Sequence, residues 1–585
     1  MQPAAIAAIV VRRSGAAIGQ VLRRLQRQPL TRIPYLRALT LGTAAVFFAV
    51  AITVAAAFPI HASDALTYGE WSRLIAQTGH FEFKSVANVY NRPLFYFLEG
   101  WVWRGLGFSN TSGRLLCGLF SVLFLLSLAW LVGRRAWGRV AVALAVLFAL
   151  ATPVFAYQVV STLTDVFVAA LVALTAAIAV RGDFRRWWVS TALGVGGALA
   201  VLAKPNAIPA LIGICAAQLL VRGLLSDLLL RRVLPIVVGT CVAFAYYVFQ
   251  ARHLHSSLRA FLESGVTSPY NSHLADQARR SAILGFGWFG DALHTLVIFT
   301  LVYTAARLAG MEHKRLVVFA VPATALAAWL LPWLGSGEAH FAVGAFAHPF
   351  SAVAWAVTCA ALAASAWAPQ DAIPTRRELA QLALLCVGPL VAWMVYATYD
   401  VRFLSPAWPG LLALMTVCAL PAVAGLARER VPVLALAPIA GLIAAVSLNV
   451  YNLDGLGRSG WDQWRRTQSS HRFDVEQTGA IVLPDLSKVL AVVRPLMHAH
   501  DRLFSPEGAF RFFFPGRVEQ SYPTSCAQLN GFRVFVLTTD AGTRTYMQDF
   551  LHVSGDPSYW AGCKQPTLHL LPSGAAGYAA FAVGS

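Results

Sequence analysis

The chain has 585 residues, of which 57% are hydrophobic and only 12% charged. Soluble globular proteins carry about 25% charged residues, so an ordinary soluble fold is excluded, and apolar stretches of the roughly 20 residues a bilayer requires recur along most of the length. The net charge of +19 does not signal nucleic acid, because residues 451–585 hold 12 Lys/Arg against 11 Asp/Glu and the remaining +18 lies in the apolar portion, in short loops where positive charge fixes orientation.

In chain order, residues 1–38 are a basic arm carrying Arg12, Arg13, Arg23, Arg24, Arg27, Arg32 and Arg37. A cleavable signal peptide would have its apolar region much closer to Met1. The arm is therefore expected to be retained on the cytoplasmic side, partly as an amphipathic helix on anionic lipid. Residues 39–449 form the expected polytopic α-helical portion, with about 13 spans at 39–60, 114–133, 140–157, 165–181, 188–203, 205–221, 233–251, 290–308, 316–335, 345–368, 379–398, 406–426 and 431–449. Alternate loops read RRAWGR, RGDFRR, RGLLSDLLLRR, MEHKR, PTRRE and RER. All are basic and fall on the side of the arm, as the positive-inside rule requires. The longer segments 61–113, 252–289 and 450–585 then lie on the opposite face. The expected setting is an inner or plasma membrane, with the N-terminus cytoplasmic and the C-terminal segment periplasmic or extracellular.

The first outer loop, 61–113, holds two stretches expected to lie in the interface. In the first, Leu66, Trp71, Leu74 and Ile75 are expected to face lipid, with Asp64, Glu70 and Arg73 elsewhere on the helix. The second, PLFYFLEGWVW, is too short to span. Such a loop builds a cavity suited to a substrate that is half lipid and half polar. Residues 450–585 change in character: DLSKVLAVVRPLMHA has helical periodicity, while FRVFVLTT and PTLHLLP read as strands. A small α/β domain with its own core follows, with no catalytic motif, and accessory or substrate-binding roles suit it. Six of the eight cysteines lie in apolar segments as small hydrophobes. Cys526 and Cys563 lie in the C-terminal segment, where an oxidising compartment would allow a disulfide.

Five charged residues stand out on the outer face. Asp64, in FPIHASDALTY, follows the first span, where either Ser63 or Asp64 could simply cap a helix. Asp165, in STLTDVFVAAL, opens the fourth span, and acids at membrane depth are costly and usually face a cavity or partner. Lys204, in LAVLAKPNAIPAL, is the one of five lysines set between adjoining apolar segments, where it either snorkels or binds phosphate as a point charge. Arg92, in YNRPLFYF, and Arg402, in TYDVRFLSPAWPG, are two further outer-face cations. Two acids and several cations around an amphipathic cavity suit a phosphate-bearing lipid donor and a hydroxyl acceptor.

The order and setting of these pieces resemble a GT-C fold glycosyltransferase of the branch containing the protein O-mannosyltransferases and the lipid A aminoarabinose transferases. SDALTYGEW resembles their acidic opening of the outer loop, and YNRPLFYFLEGWVWRGLGFSNTSGRLLCGLFS their KPPL segment and the start of the second span. TLTDVFVAALVAL resembles their Thr-x-Asp-like start of the fourth span, GALAVLAKPNAIP their GLAxLxKGP segment, and YDVRFLSPAWPGLLAL their RYxLPxxP segment. The resemblance covers residues 39–425. It implies inverting transfer of a sugar from a polyprenyl-phosphate donor to a glycan, glycolipid or protein hydroxyl on the outer membrane face. Asp64 would be the general base, Asp165 would position the acceptor or the loop, and Lys204, Arg92 and Arg402 would hold the donor phosphate. His61, Tyr68, Asn91, Tyr157 and Tyr399 would line the substrate cavity.

Two departures stand in these segments: Asn91-Arg92-Pro93 replaces an acid, Lys and Pro, and Asn206 replaces a glycine. No cofactor is expected to be required; for a divalent cation the weak candidates are His253 and His255 in RHLHSS. Two competing readings are a secondary transporter for an amphipathic or anionic solute, against which the missing internal repeat counts, and a non-catalytic scaffold binding envelope glycan.

Overall fold

The computed structural model describes residues 34–57, 63–79, 92–107, 110–133, 137–160, 164–222, 229–253, 290–334, 349–395, 401–428, 438–451, 483–505, 532–538, 567–575 and 578–584, with a few positions between 510 and 527. Helix α1 (Pro34–Ala57) is followed by two short helices, α2 (Ser63–Thr78) and α3 (Pro93–Leu106). The apolar runs then fold as α4 (Asn110–Val132), α5 (Gly138–Ala151), α6 (Pro153–Val160), α7 (Asp165–Arg181), α8 (Trp187–Ala203), α9 (Ile208–Arg222) and α10 (Leu234–His253). They continue as α11 (Gly290–Leu308), α12 (His313–Leu334), α13 (Pro349–Ala363), α14 (Arg376–Val395), α15 (Trp408–Arg428) and α16 (Pro438–Tyr451).

Helix breaks follow the backbone chemistry. At Thr152-Pro153 the chain bends by 73° between α5 and α6, where proline can neither donate a hydrogen bond nor tolerate a helical predecessor. Among the described residues, three stretches are long and apolar enough by themselves to cross a membrane: Arg114–Val132, Leu229–Gln250 and Leu404–Ala427. The last is almost wholly enclosed by other helices, whereas the second turns most of its surface outward. Outward faces are apolar, with Leu119 and Leu126 on α4, Val238, Val242 and Phe249 on α10, and Val318 and Phe319 on α12. That is the inverse of a water-soluble helix, whose outer face is polar.

Helices α2 and α3 lie against each other, and their packing corrects one sequence expectation. Trp71 and Ile75 are buried against α3 rather than turned to lipid, and Glu70 and Ser72 are buried with them. Leu74 is half-buried. Two neighbouring amphipathic helices hide more apolar surface on one another than either would at the interface alone. Gly100 permits the close crossing: a Cβ there would stand 2.7 Å from the Ile75 Cβ and 2.8 Å from the Ser72 carbonyl oxygen.

Beyond the bundle, α17 (Leu483–Val493) packs on a sheet of β1 (Arg502–Phe504), β2 (Val518–Glu519), β3 (Phe532–Thr538), β4 (Thr567–Leu571) and β5 (Tyr578–Gly584). The strand order is β2-β1-β3-β5-β4, parallel on the β2-β1-β3 side and antiparallel from β3 to β4. Val489, Val493, Leu503, Val534, Val536 and Ala580 form its buried face. This unit approaches α2. Burial, and then the guanidinium charges of Arg494 and Arg517, lower the Arg73 pKa below its ordinary value.

Candidate active site

Helix α7 opens at Asp165, one residue after Thr164, whose αR backbone (φ −81°, ψ −7°) sits at the cap position without a side-chain cap bond. Helix α8 runs beside it and ends at Ala203 because Pro205 forces its predecessor out of the helical region. Lys204 is accordingly extended (φ −168°, ψ 126°), and the chain resumes as a short 3₁₀ turn, Pro205–Ala207, leading into α9. At this break the lysine side chain turns onto α7. Its Nζ donates to Asp165 Oδ1 at 2.6 Å, with both residues about 95% or more enclosed (Lys204 5%, Asp165 2% exposed).

A third segment joins them from far along the chain. The 3₁₀ helix Val401–Ala407 packs on α7 and on the Pro205–Ala207 turn. From it, Ser405 Oγ donates to Asp165 Oδ1 at 3.4 Å. The segment is anchored by Trp408, which is buried edge-on to Phe124 and Phe155 with ring centroids 6.3 and 6.4 Å away. Burying an ion pair costs desolvation that Coulomb attraction only partly offsets. Such a pair within an apolar bundle is thus a marker of function more than of stability.

Arg92 comes to the same end of α8. It stands at the N-cap of α3, with Pro93 in the first helical position, and α3 packs on α8 as well as on α2 and α4. Tyr247 of α10 donates its hydroxyl to the Val201 carbonyl at 3.0 Å, and the Arg92 charge reaches that hydroxyl. Asp64 is the second residue of α2, inside the first turn, where the helix dipole favours a carboxylate.

The Asp64, Tyr68, Tyr157, His253 and Arg402 side chains are not described, and His61, Asn91, Tyr399, His255, Cys526 and Cys563 lie outside the described residues. Among the described residues no group of three His, Cys, Asp or Glu side chains comes together. Of the predicted set, Asp165 and Lys204 are in direct contact, with Arg92 and the backbone of Arg402 brought to their end of the bundle.

Sequence reasoning missed Glu99. It is wholly buried, accepts a hydrogen bond from Ser72 Oγ on Oε2 at 2.6 Å, and leaves Oε1 without a partner among the described residues. Burial pushes its carboxyl up to about 8, against the opposing pull of the Ser72 hydrogen bond. Its signal was a lone acid in the otherwise apolar and aromatic PLFYFLEGWVW. Ser405 carried no signal beyond its nearness to Arg402.

No protein-family model matches the sequence, and no curated protein matches it. Solved structures do match the fold. ArnT from Cupriavidus metallidurans, bound to undecaprenyl phosphate, aligns over 93% of this chain and 98% of its own, at 14% identity and a TM-score of 0.53. The chain has a GT-C fold. The apo state of the same ArnT aligns over the same shares at 13% identity, also with a TM-score of 0.53. A looser match, with a TM-score of 0.44 and 12% identity, is the Archaeoglobus fulgidus oligosaccharyltransferase in complex with Zn and sulfate, over 92% of this chain and 73% of that one. On the GT-C fold of this chain, the Asp165–Lys204 pair lies where three sequence-distant segments meet.

Proposed function

We propose that this protein is an inverting glycosyltransferase that moves a sugar from a polyprenyl-phosphate donor to an acceptor hydroxyl on the outer face of the membrane. The observation that carries this reading is the buried Lys204–Asp165 pair, set in a fold that in ArnT accommodates undecaprenyl phosphate. Asp165 accepts one lysine N–H and fixes the direction of the ammonium, whose positive charge attracts a phosphate oxygen. Arg92 and Arg402 complete the anion site. As the acceptor oxygen bonds to the anomeric carbon, the bond from that carbon to the phosphate oxygen breaks, and its electron pair leaves with polyprenyl phosphate. The acceptor proton passes to Asp64. The leaving group is already a stable anion, so cationic stabilisation replaces a general acid.

In this reading residues 39–449 are the catalytic membrane unit, with the N-terminus cytoplasmic. Residues 450–585 are extracytoplasmic, an oxidising setting in which Cys526 and Cys563 would pair as a disulfide. The acceptor is an envelope glycan, a glycolipid or a protein, and His61, Tyr68, Asn91, Tyr157 and Tyr399 line the approach to it. Asp64→Asn is expected to lower turnover by at least 10²-fold, the usual scale of general-base loss, while donor binding and the unfolding temperature stay at wild-type values. Normal glycan products in cells carrying only Asp64→Asn would overturn the assignment.

A further inference from the structure

The ion pair is flanked on both of its chain segments by polar side chains that have no hydrogen-bond partner among the described residues. Next to Asp165, Thr164 is wholly buried, and its hydroxyl neither caps α7 nor makes another hydrogen bond among the described residues. Two residues beyond Lys204, Asn206 has both its carboxamide oxygen and nitrogen shielded and without partners among the described residues. Its turn packs against the 401–407 segment that also reaches Asp165. A shielded amide or hydroxyl without a partner costs on the order of 1–3 kcal/mol each. Two such groups flanking one ion pair therefore mark an incomplete polar site rather than a packing detail.

The chemistry of the orphans says what completes the site. Asn206 presents two N–H donors and one carbonyl acceptor, and Thr164 presents a hydroxyl that can do either. An ionised phosphate offers acceptors only, so it would leave the Asn206 oxygen unpaired; Lys204 already suits that role. A sugar hydroxyl or an acetamido group both donates and accepts. We propose that Asn206, with Thr164, reads the transferred sugar itself, pairing its carboxamide with a ring hydroxyl or acetamido group while Lys204 and Asp165 serve the phosphate. This deepens the glycosyl-transfer reading and rests on it. Asn206 is half-buried as a residue while its carboxamide is shielded, so under this proposal the side chain turns toward a sugar held beside the ion pair.

The test is binding to the full chain in lipid nanodiscs. The probes are polyprenyl phosphate alone and the same lipid carrying a hexose, an N-acetylhexosamine or a pentose. Wild type is expected to bind one sugar-bearing lipid more tightly than the bare lipid. Asn206→Ala should weaken that best sugar-bearing lipid by roughly ten-fold or more, and Thr164→Val by a smaller factor, while bare polyprenyl phosphate changes less than about two-fold. Because neither wild-type group has a hydrogen-bond partner among the described residues, neither variant should lower the unfolding temperature of the ligand-free protein. Equal weakening of bare and sugar-bearing lipids, or unchanged sugar binding in both variants, overturns the inference alone. Wild type that binds none of the lipids overturns the glycosyl-transfer reading and this inference with it.

Discussion

Replacing Glu99 by Gln should stabilise this protein at neutral pH and leave it unchanged in acid. The carboxyl is wholly buried between α3 and α2, with its pKa raised from 4.5 to about 8, chiefly by burial. The helices packed on α3 carry Asp64, Tyr68, Glu70 and Arg73 on α2 and Arg114 on α4, but the causes of the shift are burial and the Ser72 hydrogen bond alone. Below pH 4.5 folded and unfolded chains are both protonated, so the residue has no pH-dependent effect. Between 4.5 and about 8 the unfolded chain ionises and the folded chain does not, which drains stability by about 1.4 kcal/mol per pH unit. The drain amounts to roughly 3 kcal/mol at pH 7 and reaches roughly 5 kcal/mol above pH 8. Gln stays neutral and keeps an oxygen for the Ser72 hydroxyl, so it escapes this loss. Denaturant unfolding of detergent-solubilised wild type and Glu99→Gln, followed by tryptophan fluorescence from pH 4 to 9, reads the difference directly. A stability difference that does not grow between pH 5 and 8 would refute the reasoning.

Removing one partner of the buried ion pair should be costly: Lys204→Met leaves the Asp165 carboxylate buried without its counter-charge, a loss of about 3–5 kcal/mol. Adding Asp165→Asn to it should recover much of that stability without restoring donor binding, and additive losses in the double-mutant cycle would count against direct coupling. Gly100→Val should force α2 from α3 and destabilise by about 1–3 kcal/mol through overpacking, given the 2.7 Å that even a Cβ would leave to Ile75. An unchanged unfolding midpoint would speak against that crossing. Ser405→Ala removes one long bond to Asp165 and should cost no more than about 1 kcal/mol, with a measurable rise in donor KM.

What the amino-acid sequence determined by itself is local and additive. Transfer of apolar side chains out of water depends on composition within a window, so among the described residues the predicted spans fall on helices, although 140–157 is divided between α5 and α6 by the bend at Thr152-Pro153, and FRVFVLTT and PTLHLLP coincide with β3 and β4. The break at Lys204 is equally local, because the pyrrolidine ring of Pro205 excludes the helical conformation for the residue before it. Tertiary structure alone decided what meets at that break. Lys204 pairs with an acid 39 residues earlier, and Ser405 reaches that acid across 240 residues. Periodicity carries no information about such distant approaches. The lipid-facing stripe expected on α2 shows the same limit. Its apolar face was legible, but whether lipid or protein covers it depended on α3, where Gly100 allows an approach that leaves Trp71, Ile75 and the Ser72–Glu99 hydrogen bond enclosed. Burial of a charge is likewise a property of neighbours rather than of residue type, so Glu99 acquired its raised pKa only when two helices closed over it.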